Sequence, residues 1–258
     1  MSKKIIETIS EMVAHTAIRK SRAAKSRFEP KRSQAEDSRG VYLSSCAAIA
    51  EHFAPLGFKY AKSCQHFTNQ KDDLTCRVSF QSSHNNTSGE YVALWIHANV
   101  GSKRLKKWRA RQSNPLAHRD ALAGGQIGNL LEKPSWYEWN LASSSEREIV
   151  IRDAISTIEN IALPYFSQFE DVAALAKRLE FGAVPSLDVG NAIEFLLCHN
   201  FKPSAIAHAR WFLNAHSNIM PQYLELVEKF RVAGIPDVRT LSYAERLALV
   251  TVTYGLSL

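Results

Sequence analysis

The side chains that could carry chemistry in this sequence are four cysteines, nine histidines and a run of cations. The cysteines form no CxxC pair, and the histidines form neither HExxH nor a Cys/His set with zinc spacing. The chain also lacks the GxSxG of a nucleophile elbow and the GxxxxGK[ST] of a P-loop. We therefore expect no metal and no cofactor, and we favour a binding or regulatory module over an enzyme.

The run of cations between residues 103 and 119 is the most distinctive charge feature. It contains seven Lys and Arg and no acid, and such uncompensated charge attracts anions, which predicts a nucleic-acid or other anion-binding surface. The residues predicted to bind are Lys103, Arg104, Lys106, Lys107, Trp108, Arg109 and Arg111. The alternative is a solvated helix or loop whose long stems cover apolar surface, with Leu105 and Trp108 packed inward.

The first forty residues are also basic, with ten Lys and Arg against five Asp and Glu in a chain of net charge +7. Residues 3–19 have the spacing of a short amphipathic helix, and residues 19–39 are rich in cations and poor in apolar side chains. The second stretch is either a solvated linker or an arm for nucleic acid or an acidic partner. Phe28 is its one aromatic residue, so the sequence offers little support for base stacking there.

Three strand-like runs between Leu56 and Gly101 would position these residues. Apolar and polar side chains alternate over residues 74–81 and 91–100, the period of a strand with one buried face. A bulged strand is predicted over Phe58 to Thr68, and a fourth strand over Ser135 to Leu141. The fold class predicted is α+β, an antiparallel sheet of about four strands covered by helices and followed by an all-helical C-terminal extension.

The same alternation separates a polar face of the sheet from its apolar face. The side chains expected to point away from the core are Arg77, Gln81, Tyr91, Trp95, His97 and Asn99. Because Trp, Tyr and Arg dominate interface hot spots, this face is predicted to bind a partner, most simply another protein. The alternative is that N-terminal or C-terminal helices cover the face as a second layer of core. A rival function is a nuclease or nucleotide-handling enzyme that uses Arg77, His97 and the cationic run.

Helices are predicted before and after the strands along the chain. One spans residues 41–55, and another begins at a capping box, Ser145 to Glu148, and runs to about Leu163, where Pro164 breaks or kinks the chain. Between them, the glycines of the segment 124–131 predict a turn, because the segment lacks the lysine and hydroxyl residue of a phosphate loop.

The C-terminal region has the pattern of a helical array. Pro185, Pro203 and Pro221 each stand where a helix could start, and a capping box at Ser242 and Glu245 opens the last helix. The predicted domains are therefore an N-terminal helix and basic arm (1–40), an α+β domain (41–182) and a C-terminal helical extension (183–258).

The compartment follows from cysteine usage and from the start of the chain. The sequence has no apolar run near the roughly 20 residues of a membrane-spanning helix, and its first residues lack the apolar region of a signal peptide. We expect a cytoplasmic protein with reduced, mostly buried thiols and no membrane partner. These features do not determine an oligomeric state.

Several segments, in order, resemble the bacterial domain-of-unknown-function family 4304. After a helix they read LGFKYAKSCQHF, VSFQSS, ALWIHANVG and IGNLLEKPSWYEW, and the helix that follows ends in IALPYFSQF. The resemblance covers about residues 41–182 and departs from the family pattern at Cys64-Gln65-His66, where more basic residues are expected. It implies a similar fold but no activity and no catalytic residue. It also suggests a toxin-immunity or phage-defence setting, in which a binding role is expected.

Overall fold

The computed structural model describes residues 36–112, 119–234 and 241–258. The predicted N-terminal helix and all but the last few residues of the basic arm lie outside the described residues, as does part of the cationic run, residues 113–118. The chain from Glu36 to Leu258 forms one compact unit. The division at residue 182 therefore stays a prediction about sequence organisation rather than a visible gap between two bodies.

An antiparallel sheet forms the centre of this unit. Its strands are β1 (Lys59–Ala61), β2 (His66–Lys71), β3 (Leu74–Gln81), β4 (Ala93–Ser102), β5 (Ala121–Gln126) and β6 (Trp139–Asn140). The first five neighbour one another in chain order, and the short β6 pairs with the start of β4. The predicted α+β class is confirmed, with six strands rather than about four in the described residues.

Two strand predictions were wrong in detail. The bulged strand over 58–68 is in fact a hairpin, because the chain turns through Lys62–Gln65 and β1 folds back on β2. Gln65 completes that turn with a φ of 45°, a conformation that sequence periodicity does not report. The fourth strand is shorter than predicted, since only Trp139 and Asn140 of the segment 135–141 pair with β4.

The predicted glycine turn over residues 124–131 is correct only in its second half, because Ile127–Leu130 form a 3-10 turn while the first glycines belong to a strand. Gly124 and Gly125 lie in β5, directly opposite Asn99 and Ala98 of β4. A Cβ on Gly124 would lie 2.3 Å from the Ala98 carbonyl oxygen, so only glycine allows the two backbones to approach this closely. The absence of a side chain at Gly124, which suggested a turn, is what allows β5 to pair with β4.

Nine helices are assigned among the described residues. They are α1 (Ser38–His52), α2 (Lys103–Arg109), α3 (Arg147–Thr157), α4 (Leu163–Ser167), α5 (Val172–Leu179), α6 (Val189–Cys198), α7 (Lys202–Ala215), α8 (Met220–Ala233) and α9 (Tyr243–Thr253). The predicted capping box at Ser242 and Glu245 is confirmed by both of its hydrogen bonds. The one predicted at Ser145 is wrong, because α3 begins at Arg147 without a side-chain cap.

Pro164 does not break the helix that precedes it. A single π-helical turn, Ile158–Ala162, joins α3 to α4, and Pro164 occupies the first turn of α4. Proline has no N–H to donate to the carbonyl four residues earlier, and the wider π turn lets the chain continue past it.

One hydrophobic core joins the sheet to the helices. The end of α1 covers the apolar face at β2, where the rings of Phe53 and Phe67 stack at 5.1 Å. The C-terminal helices pack on one another, and α6 also contacts β5 and α2. The C-terminal region is therefore integral to the packing of the described unit.

Candidate binding surfaces

The polar face consists of Thr75, Arg77, Ser79 and Gln81 of β3 with Trp95, His97 and Asn99 of β4. Along β4 the intervening side chains, from Leu94 to Val100, are almost completely buried, whereas Trp95, His97 and Asn99 are only half-buried. The same alternation holds along β3. The described helices thus bury one face of these two strands and leave the other partly accessible.

An aromatic corner lies at one end of the polar face. It consists of Tyr91, Trp95, Trp136 and Glu138. The Glu138 carboxylate accepts a hydrogen bond of 2.6 Å from Trp95 Nε1 and one of 2.7 Å from the Tyr91 hydroxyl. Trp136 meets Trp95 edge to face at 5.9 Å and is 61% exposed. The Tyr91 and Trp95 rings are therefore held in place, while the large indole of Trp136 stays open to a partner.

Glu138 carries a stable negative charge in this corner. Hydrogen bonds, first from Trp95 and then from Tyr91, lower the pKa of its carboxyl below the usual range. Sequence reasoning missed both Glu138 and Trp136, because it assigned their segment to a strand with aromatic residues on both faces. Local pattern carried no signal for this corner, because the two hydrogen-bond partners of Glu138 lie 47 and 43 residues earlier in the chain.

The middle of the polar face is linked by a polar contact across two strands. His97 Nε2 donates to Gln81 Oε1 at 3.0 Å. Burial lowers the pKa of His97, so its imidazole is neutral at neutral pH. The ring acts there as a hydrogen-bonding group without a charge.

A cleft opens beside Arg77, at the other end of the polar face. It has a volume of about 260 Å³, and its side-chain walls include Thr75, Arg77, Asn99 and Asp120. Arg77 and Asn99 are directly opposite each other on β3 and β4. Arg77 Nε is buried and has no hydrogen-bond partner among the described residues. Arg77 therefore lines the cleft with part of its hydrogen-bonding capacity unused.

The cationic surface is built on α2. Ser102 caps this helix by accepting from Leu105 N at 2.9 Å, and its hydroxyl donates to Asp73 Oδ2 at 2.6 Å. Asp73 also accepts from the backbone of Lys103 and Arg104. The Asp73 carboxylate stabilises the start of α2, because the N-terminal end of a helix carries partial positive charge. It also offsets the positive charges of the first turn.

The predicted cations do not share one environment. Lys103, Lys106, Lys107 and Arg111 are exposed, and none forms an ion pair with a described residue. Together they define what we call the α2 cation cluster. Several of its members line a cleft of about 500 Å³ beside Asp72 and Asp73.

Three other residues of the predicted site are held by the protein itself. Arg104 Nε donates to the Cys198 carbonyl at 2.9 Å. Trp108 is half-buried, with its ring centroid 4.9 Å from that of Tyr254. Arg109 is 1% exposed and pairs with Glu194, so it is unavailable to an external anion. The sequence counted Arg109 among the binding cations, and the structure corrects that placement.

The Arg109 guanidinium is fully engaged inside the protein. Its Nη1 donates to the carbonyls of Arg119 and Ala121, and its Nη2 donates to Asn191 Oδ1 at 2.7 Å. The sequence carried one signal of this role, because Glu194 is an acid in the middle of the apolar helix α6. A buried acid requires a buried partner of opposite charge.

The remaining chemistry-bearing groups bear on two further kinds of site, a metal site and a reactive thiol. No group of three or more His, Cys, Asp and Glu there could hold a metal ion. Burial raises the pKa of Cys46 and Cys198 to about 12 and that of Cys76 to about 11, which keeps these thiols protonated. No described helix has the length and apolar character needed to cross a membrane.

The fold and its surfaces define an α+β protein with an antiparallel sheet, a partly accessible polar face and a cationic helix directly after β4. Residues 49–168 match the model of the family described as Domain of unknown function (DUF4304). The match covers 120 of the 258 residues, from within α1 to the end of α4, and confirms the resemblance found in the sequence. No curated protein and no solved structure matches the chain.

Proposed function

We propose that this protein is a non-catalytic binding module that engages another protein through the polar face of its sheet. The observation that carries the proposal is the aromatic corner, in which Trp95 and Tyr91 are fixed by Glu138 and Trp136 remains 61% exposed. Rigid aromatic side chains of this kind supply most of the binding energy at protein interfaces, because they bury a large area and lose little conformational freedom.

The charges of the chain favour an acidic partner. The protein has a net charge of +7, and Arg77 lies on the polar face without an ion pair among the described residues. A negative partner would be steered toward a positive protein and would meet an arginine at the end of the binding face. We extend the proposal to a bacterial toxin-immunity or phage-defence setting on the family resemblance alone.

The test begins with a photo-crosslinking residue at Ser79, in the middle of the polar face. A protein crosslinked in source cells is identified, purified and titrated with the full chain in a calorimeter. We expect Trp95→Ala and Trp136→Ala each to weaken binding by about 2 kcal/mol, the scale of a hot-spot residue. Trp211→Ala is the matched control, because Trp211 is also half-buried but lies on α7.

The proposal requires that the purified pair bind and that the two corner variants bind less well. Binding that is equal for wild type, Trp95→Ala and Trp136→Ala would show that the partner uses another surface. A purified pair that does not associate would overturn the proposal for that partner and for the crosslinked face. Thermal melting of each variant confirms that lost binding is not lost folding.

The α2 cation cluster favours a second candidate function, binding to nucleic acid or another polyanion. The observation behind it is that four exposed cations lie close together with no ion pair among the described residues.

Incubation of the protein with DNA, RNA and nucleoside triphosphates, with and without a divalent metal, tests the rival enzyme. Turnover that is lost when Arg77 or His97 is replaced would favour that rival over a binding module.

A further inference from the structure

We infer that the Arg77 cleft is a recognition site for a single carboxylate, the side chain of an Asp or Glu on a protein partner. The inference deepens the proposed function and depends on it for the carrier of the carboxylate. The site itself follows from the cleft and can be tested without any partner.

The first step is the state of Arg77. Its Nε is buried and lacks an acceptor, and the residue forms no ion pair among the described residues. Arg77 also lines the cleft, so an anion that enters can pair with a cation that no described acid neutralises. A carboxylate suits this position, because the planar guanidinium can donate to both of its oxygens.

The second step is the shape and lining of the cleft. Thr75 and Asn99 add polar side chains beside Arg77, and Gly101 adds only backbone. A Cβ on Gly101 would lie 3.3 Å from Asp120 Oδ2, inside the same cleft. At about 260 Å³ the space suits one short side chain and lies below the usual size of a nucleotide or drug-sized site.

The third step decides between a carboxylate and a phosphate. Asp120 lines the same cleft as Arg77, yet the two form no ion pair. One cation and one anion leave the cleft without net charge, and a phosphate dianion loses more hydration free energy on entering such a cleft than a carboxylate monoanion does. A monoanionic carboxylate followed by a peptide N–H fits both walls, because Arg77 donates to the carboxylate and Asp120 accepts from the N–H.

The experiment is an NMR titration of the uniformly ¹⁵N-labelled full chain, read at the Arg77 Nε–H resonance of the wild type and, in variants that lack Arg77, at the backbone N–H resonances of Thr75 and Asn99, which also line the cleft. The probes are N-acetyl-glutamate N-methylamide, the corresponding neutral glutamine amide, and inorganic phosphate. We expect the Arg77 Nε–H resonance to shift saturably with the glutamate probe, with affinity in the range of about 1 mM expected for one small group. The glutamine probe and phosphate should leave this resonance unchanged.

Variants separate recognition from general charge. Arg77→Gln should lower the affinity for the glutamate probe by roughly tenfold or more. Arg77→Lys should have an affinity between those of the wild type and Arg77→Gln, because lysine keeps the charge but loses the planar guanidinium. Asp120→Asn should allow inorganic phosphate to bind in the Arg77 cleft, because it removes the negative charge there. Arg152→Gln is the matched control, since it removes the same charge from an exposed arginine on α3.

The outcomes are decisive in either direction. A saturable shift that Arg77→Gln or Arg77→Lys weakens and that Arg152→Gln does not change supports the site. If no probe shifts the Arg77 resonance of the folded wild type, or if phosphate binds as well as glutamate, the carboxylate site does not exist. Because the titration contains no partner, it can succeed where the aromatic corner fails to bind a protein, and the reverse also holds.

Discussion

Arg109 and Glu194 form a buried ion pair between the cationic helix α2 and the C-terminal helix α6. Arg109 Nη2 lies 2.5 Å from Glu194 Oε2, and their side chains are 1% and 2% exposed. The Tyr254 hydroxyl donates to the other oxygen of Glu194 at 2.6 Å. The helical region that the sequence marked as an extension is therefore joined to the α+β part through charges that neither could bury alone.

We predict that Arg109→Ala lowers the free energy of unfolding by about 3–5 kcal/mol, because it leaves the Glu194 charge buried without its main partner. Urea denaturation measures the change. Arg152→Ala is the control, because its pair with Glu148 is exposed, and we expect it to leave the midpoint unchanged. If Arg109→Ala behaves like the control, the pair is not buried in solution.

Gly124 gives a second prediction about stability. Gly124→Ala should lower the free energy of unfolding by about 2 kcal/mol or more, because the position has a φ of 131° and its Cβ would meet the Ala98 carbonyl. Gly89→Ala is the comparison, with a φ of 75° and no heavy atom near its Cβ. Gly89→Ala should lower the free energy of unfolding by only about 1 kcal/mol, the cost of an alanine in the left-handed conformation. Equal losses would show that the close approach of β5 to β4 does not limit this position.

A third prediction concerns acid. Burial lowers the pKa of His208 below its usual range, although a hydrogen bond with the Leu179 carbonyl and the charge of Asp188 act in the opposite direction. The unfolded chain therefore takes up a proton near pH 6.5 that the folded chain takes up only at lower pH. The free energy of unfolding should fall as the pH decreases from 7 to 5.

Urea denaturation at the two pH values tests this dependence. His208→Gln should reduce the difference between pH 7 and pH 5, while His84→Gln, at an exposed position, should leave it unchanged. Burial also lowers the pKa of His66, His97 and His199, so part of the dependence should persist in His208→Gln. A wild-type protein that is equally stable at both pH values would contradict the prediction.

The fourth prediction tests the α2 cation cluster. Replacing Lys103, Lys106 and Lys107 by Glu should abolish binding to single-stranded nucleic acid, measured by fluorescence anisotropy. Arg104 is kept because it bonds to the Cys198 carbonyl. If the three lysines contact phosphates, log affinity for wild type should fall with log salt by about 0.7 for each phosphate neutralised.

The control for that experiment carries the same change of charge elsewhere. Its substitutions are Lys177→Glu, Lys202→Glu and Lys229→Glu, at exposed positions on α5, α7 and α8. Binding that survives the α2 replacements with the same salt dependence, or that the control abolishes equally, would remove the cluster as a nucleic-acid contact.

Local patterns in the sequence predicted much of the sheet. The alternation over 74–81 gives β3 at the residues observed, and the alternation over 91–100 separates the buried and accessible sides of β4. Each of these strands has apolar side chains at every second residue. Because those side chains must face the core, the alternation in the sequence predicts which face is buried. The glycines of β5 have no side chains to alternate, so periodicity could not reveal that strand.

The amino-acid sequence by itself determined which face of β3 and β4 is apolar, where the last helix is capped, and that the stretch after residue 102 is cationic. Tertiary structure decided which of those cations are available. Arg109 lies on the side of α2 that faces α6, and Glu194, which neutralises it, is 85 residues further along the chain. Burial of a charge depends on partners brought together by packing, so composition can count the cations but cannot separate a surface charge from a core charge.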